Sequence, residues 1–119
     1  MPPEKGDAAY LWDMLDAARA VRDFITGRSF QEYLRDQMLR RAVERSLEII
    51  GEAAGRVSDT LRNAHPEIPW RRIIGQRYVI AHEYGELEDE LIWRAATLHV
   101  PELIEMLEPL VPPEPEAEG

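Results

Sequence analysis

Apolar residues recur every three or four positions along most of this chain, which is the spacing of one face of an α-helix. The first such series runs from Tyr10 to Ile25, with Asp7 as its predicted N-cap and Gly27 as its stop signal. No stretch alternates between apolar and polar residues as a half-buried strand would. The pattern predicts an all-α fold, a compact four- to five-helix bundle with up-down antiparallel helices.

Capping signals mark the helices of the middle of the chain. Ser29 and Glu32 form a capping-box pattern, which predicts a short helical turn there. A long helix is predicted over about 36–57, because its apolar stripe is opposite a face of arginines and glutamates. Ser58 is predicted to cap a short helix that reaches Asn63.

Prolines divide the rest of the chain. Residues 65–69 are predicted to form a rigid connector, and Pro69 fits the first position of the next helix, which should end near Gly85. A last helix is predicted from about Glu88, and Pro101 should kink it or split it in two.

At 119 residues, the chain has room for one domain and one hydrophobic core. We expect a disordered N-terminus over 1–6, a helical domain over 7–108 and a disordered, acidic, proline-rich tail over 109–119.

The composition excludes several classes of function. The chain has no cysteine, which rules out disulfides, cysteine-based zinc sites and thiol catalysis. No apolar run approaches the roughly 20 residues that span a bilayer, and the N-terminus lacks the apolar core of a signal peptide. We therefore expect a soluble cytoplasmic protein with no membrane partner.

The formal net charge of -9 argues at first against a nucleic-acid partner, because phosphate repels an acidic surface. The charge is uneven, however: residues 1–18 carry -3, residues 19–77 carry +4 and residues 78–119 carry -10. All positive charge in the middle segment is arginine, whose planar fork suits phosphate but serves equally well in surface ion pairs. A solvated helix face remains the simpler interpretation of that segment.

The three histidines differ in their surroundings. His65 is expected to be a turn residue and His99 to have a structural or surface role. His82 and Glu83 resemble the start of a zinc-protease helix, but Glu86 stands where the second histidine would be, so we expect no metal and no cofactor.

His82 has chemically suggestive neighbours, since Arg77 and Tyr84 lie near it in the same predicted helix. Arginine supplies a fixed positive charge for a phosphate, and histidine can move a proton near neutral pH. Metal-free phosphodiester chemistry is thus one interpretation; a surface pair that offsets the helix dipole is the other.

Four residues separate Arg77 from His82, and one residue separates His82 from Tyr84. This spacing resembles the signature of the HEPN superfamily, in particular the HepT-like toxins. Two further blocks resemble the same family: residues 41–54 its long central helix, and residues 66–75 its run into the motif helix. The resemblance extends over about residues 7–108.

The resemblance implies a helical homodimer in which the two motifs meet in a cleft. It implies a metal-independent endoribonuclease that acts as a toxin on RNA, with a small nucleotidyltransferase as antitoxin. By position, Arg77 would hold the scissile phosphate and His82 would be the general acid or base. Tyr84 would support the site and accept the AMP by which the antitoxin neutralises the toxin.

One position departs from the family pattern. The residue after the arginine is usually polar in this family, typically Asn, and here it is Tyr78. Tyr78 could contact RNA through its hydroxyl or by stacking on a base. The departure leaves an alternative open: a catalytically weak helical module that dimerises and holds a nucleotidyltransferase partner.

Overall fold

The computed structural model describes residues 6–75 and 86–112, and within them every regular element is helical. Helix α1 spans Asp7–Ile25, α2 spans Phe30–Arg35, α3 spans Gln37–Arg56 and α4 spans Asp59–Ala64. Residues 70–75 are helical, and after residues 76–85 the chain continues with α5, Glu86–Arg94. A π-helical turn, Ala95–His99, leads into α6, Val100–Leu107, and a 3₁₀ turn follows at Glu108–Leu110. The all-α prediction is confirmed.

Helix α1 is the centre of the bundle, since it packs mainly against α3 and also against α6. The buried residues of these helices form one core, whose fully buried large side chains include Met14, Leu15, Leu47, Ile50 and Leu107. Burying a side chain of this size stabilises a fold by roughly 1.5–3 kcal/mol. The three- and four-residue periodicity of the sequence therefore corresponds to one shared core.

The local stop and cap signals are confirmed. Gly27 has φ 77, a left-handed conformation that ends α1 without the steric cost of a side chain. The Ser29 Oγ accepts the Glu32 backbone N–H at 3.1 Å, and the Glu32 carboxylate accepts the Ser29 N–H at 3.0 Å. Asp36 caps α3 and Ser58 caps α4, both by accepting a backbone N–H three residues on.

Three sequence predictions need correction. Gly6, not Asp7, is the N-cap of α1, because the Asp7 carboxylate instead accepts the backbone N–H and the hydroxyl of Ser58, at 2.8 and 2.6 Å. Pro69 precedes the helical residues 70–75 rather than starting them. The last helix begins at Glu86, two residues before its predicted start.

The helix around Pro101 is interrupted, as predicted, but the interruption lies upstream of the proline. Pro101 is near the start of α6, and the Val100 N–H donates to the Ala95 carbonyl across the π turn. Proline lacks the N–H that would continue the regular hydrogen-bond ladder of an α-helix. This accounts for the wider π-helical turn that precedes Pro101.

The predicted tail begins too early at residue 109. Leu110 and Val111 pack against the core, while residues 113–119, like residues 1–5, lie outside the described part of the chain.

Candidate functional site

The four residues singled out by the motif all lie outside the described residues. Arg77, Tyr78, His82 and Tyr84 fall within residues 76–85, as does the predicted helix end near Gly85. The structure does describe the residues on either side of this segment.

The segment that precedes the motif is anchored at the connector. The His65 carbonyl accepts two hydrogen bonds, from the Ile68 N–H at 3.2 Å and from the Trp70 indole Nε1 at 3.0 Å. Ile68 and Ile73 are buried in the core. These contacts confirm the rigid connector and hold residues 70–75 in a defined position.

The segment that follows the motif is anchored by aromatic side chains. The Trp93 ring on α5 lies 5.2 Å from the Tyr33 ring and 6.0 Å from the Phe30 ring, centroid to centroid. Aromatic pairs at these separations add stability beyond the area they bury. Helix α5 is therefore tied to α2, and both ends of the motif segment join well-packed parts of the fold.

An open groove of about 840 Å³ runs beside residues 70–75, between the connector and α4. Its lining includes Arg62, Asn63, Arg71, Arg72 and Gly75. The hydrophobic periodicity does not predict this groove; the only signal for it in the sequence is the arginine-rich middle segment.

His99 lies at the end of the π turn, in a small cavity whose lining also includes Leu47, Ile50 and Arg72. Its Nδ1 atom is buried and has no hydrogen-bond partner among the described residues. Burial lowers the pKa of His99 below its usual value, and the nearby Arg72 charge adds to this effect. The predicted structural role fits a neutral imidazole in this position.

His65 behaves as predicted for a connector residue, with its Nδ1 3.2 Å from the Glu67 carboxylate. Within residues 6–75 and 88–112, no three histidine or carboxylate side chains are grouped as metal ligands would be. Nor is any helix of the described chain long and apolar enough to cross a membrane.

Comparison with known proteins identifies the family. A family model described as "Ribonuclease HepT-like" matches residues 14–110, a range that contains the motif. "Putative RNase MJ1380" of Methanocaldococcus jannaschii is 34% identical over 95 residues, which cover 80% of this chain and 87% of that protein. "Putative RNase TTE0752" of Caldanaerobacter subterraneus subsp. tengcongensis is 36% identical over 94 residues, 79% of this chain and 84% of that protein.

A third relative, "Probable ribonuclease HepT" of Thermococcus cleftensis, is 33% identical over 94 residues, which cover 79% of this chain and 86% of that protein. No solved structure matches the chain significantly. Because the family model and relatives over 30% identical both match most of its length, the chain belongs to the HepT-like ribonuclease family.

Proposed function

We propose that this protein is a metal-independent endoribonuclease, the toxin of a toxin–antitoxin pair. The observation that carries the proposal is the Arg77, His82 and Tyr84 motif within the part of the chain that the ribonuclease family model matches. Arg77 holds and polarises the scissile phosphate, and His82 is the general acid or base. Tyr84 supports the site, and Tyr78 contacts the RNA.

The nucleophile in this proposal is the 2′-hydroxyl of the RNA itself, which is already adjacent to the phosphorus it attacks. Its oxygen bonds to phosphorus while the bond from phosphorus to the next nucleotide's 5′-oxygen breaks. One histidine takes the 2′-hydroxyl proton and another gives a proton to the departing oxygen. The products carry a 2′,3′-cyclic phosphate and a 5′-hydroxyl.

A homodimer completes this site, because each chain supplies only one motif histidine. Two motifs that face each other across a two-fold axis would supply both an acid and a base and double the arginine charge. A protein that stays monomeric at micromolar concentration, measured by analytical ultracentrifugation, would contradict the shared cleft.

The activity is tested with purified protein and total RNA in EDTA. We expect cleavage by the unaltered protein and about 10²- to 10⁴-fold slower cleavage by His82→Ala, the usual contribution of a general acid or base. His65→Ala, which removes a histidine from the connector, is the matched control and should cleave normally. Cleavage that stops in EDTA would refute metal independence, and cleavage that survives His82→Ala would refute the assigned role.

Neutralisation is proposed to occur by AMP transfer from ATP, catalysed by a nucleotidyltransferase antitoxin. The Tyr84 phenol oxygen bonds to the α-phosphorus, pyrophosphate leaves and the phenol proton is released. Co-expression with a cognate nucleotidyltransferase should add AMP to a peptide that contains Tyr84. Modification that persists in Tyr84→Phe would place the acceptor elsewhere.

A second candidate function is a catalytically weak module that dimerises and holds the nucleotidyltransferase. It is favoured by Tyr78 and by the -10 charge of residues 78–119, which suits a basic partner. Growth arrest on expression without the partner, relieved by His82→Ala, would eliminate this candidate.

A further inference from the structure

The geometry points to the groove beside residues 70–75 as a binding subsite for the RNA phosphate backbone, with Arg71 and Arg72 as its principal contacts. The assignment rests on the proposed ribonuclease function, because the groove would bind the RNA that the motif would cut. It concerns residues that lie outside the motif itself.

The charge of the groove favours an anionic ligand. Three arginines line it, and Asp59 is the one carboxylate among the described lining residues. Asp59 is already engaged, because its Oδ1 lies 2.5 Å from the Arg62 guanidinium. The groove is therefore locally positive in a chain whose net charge is -9, so an anionic strand would be drawn to it and repelled by acidic surface elsewhere.

Two of these arginines are available to bind an anion. Arg71 and Arg72 are exposed, and neither makes an ion pair or hydrogen bond to any residue that the structure describes. Several arginines elsewhere form ion pairs, as Arg41 does with Glu44 and Arg45 with Glu48. Consecutive helical residues are rotated by about 100°, so the two side chains leave the helix in different directions and would contact an RNA backbone at different points.

The remaining lining suits a nucleic-acid strand. Pro66 and Pro69 supply apolar surface against which sugar or base can pack, and Asn63 is exposed and carries an amide that can bond to base edges. The Trp70 ring is only 9% exposed and its N–H is bonded to the His65 carbonyl, so it forms a wall and not a stacking platform. Recognition in the groove is thus mainly through phosphate.

The groove lies next to the motif segment along the chain. The described part of its lining includes Gly75, two residues before Arg77 in the sequence. Successive Cα atoms are about 3.8 Å apart across a trans peptide, so covalent geometry alone keeps the groove next to the motif segment. An RNA strand bound in the groove would therefore lie within two residues of the motif, measured along the chain.

The test measures RNA binding separately from cleavage. In a His82→Ala background, a fluorescent single-stranded RNA is titrated with protein at several salt concentrations. The slope of log K against log[salt] is negative, and loss of two phosphate contacts should make it less negative by about 1.4. This change is equivalent to roughly tenfold weaker binding near 0.15 M salt. We expect this for the double variant Arg71→Gln with Arg72→Gln.

Two further double variants make the result specific. Arg41→Gln with Arg45→Gln changes the net charge equally on the exposed face of α3 and should retain the affinity and slope of the background protein. Arg71→Lys with Arg72→Lys keeps the charge and should retain most of the slope, which a purely structural role would not predict. Thermal unfolding checks that each variant is folded.

The outcomes separate this inference from the proposed function. RNA affinity and slope that Arg71→Gln with Arg72→Gln leaves unchanged would overturn the subsite, even if the unaltered protein cleaves RNA. Binding that depends on these arginines in a protein that never cleaves RNA would keep the subsite and reject the ribonuclease activity. No RNA binding at all, or an equal loss in the α3 control, would also overturn the subsite.

Discussion

At the scale of single residues, Tyr33 and His99 each bury a polar atom that has no hydrogen-bond partner among the described residues. Burial raises the pKa of the Tyr33 phenol and lowers the pKa of the His99 imidazole, so each favours its neutral form. Leaving a buried polar atom unpaired costs about 1–3 kcal/mol. Tyr33 packs against the rings of Phe30 and Trp93, and His99 lies in a small cavity beside Arg72; the sequence pattern around them reveals neither environment.

His99 should make folding stability depend on pH. Its pKa in the folded protein is lowered by burial and by Arg72 and Arg94, and Glu102 opposes this only in part. As the pH falls below about 6.5, the unfolded chain takes up a proton at His99 while the folded protein resists it, so stability falls. We expect the urea midpoint to drop less between pH 7.5 and 5.5 in His99→Leu than in the unaltered protein.

The comparison needs a second histidine variant, because other groups also titrate in this range. His65→Gln removes a histidine at the connector but leaves His99 in place, and it should retain the pH-dependent loss that His99 causes. An equal pH dependence in His99→Leu and the unaltered protein would show that His99 contributes nothing.

At the scale of elements, α2, α3 and α4 each begin at a side chain that bonds to a backbone N–H three residues on. Ser29, Asp36 and Ser58 were all predictable as caps or first residues, because each such bond depends only on its own short stretch of sequence. Asp7 was not, because its partner Ser58 is 51 residues away in the sequence. Its carboxylate ties the start of α1 to the start of α4, and the two Ser58 bonds lower the pKa of Asp7.

The capping box of α2 gives a stability prediction at this scale. Ser29→Ala removes the acceptor for the Glu32 N–H and should lower the free energy of unfolding by about 1 kcal/mol, measured by urea denaturation. Ser29→Asn preserves an acceptor oxygen and should cost only a few tenths of a kcal/mol. Equal losses in both variants would mean that the cap itself contributes little to stability.

At the scale of the whole molecule, the net charge of -9 constrains where RNA can bind but does not exclude it. The +4 charge of residues 19–77 is a net value that already includes the carboxylates paired with arginines on α3 and α4. Arg71 and Arg72 form no ion pair with any described residue, and both line the same groove. We therefore expect weak non-specific RNA binding overall, confined to the neighbourhood of the motif.

The sequence alone determined the all-α class, the caps of α2 and α4, the stop at Gly27 and the family resemblance of the motif, because periodicity, caps and motif spacing are local properties of the chain. The tertiary structure decided the Asp7–Ser58 link, the unpaired imidazole of His99 and the arginine-lined groove. The first two depend on residues that are distant in sequence and become neighbours only when the helices close around a common core, and the groove depends on how α4, the connector and residues 70–75 pack. Burial and pairing are set by those neighbours, and no local pattern encodes them.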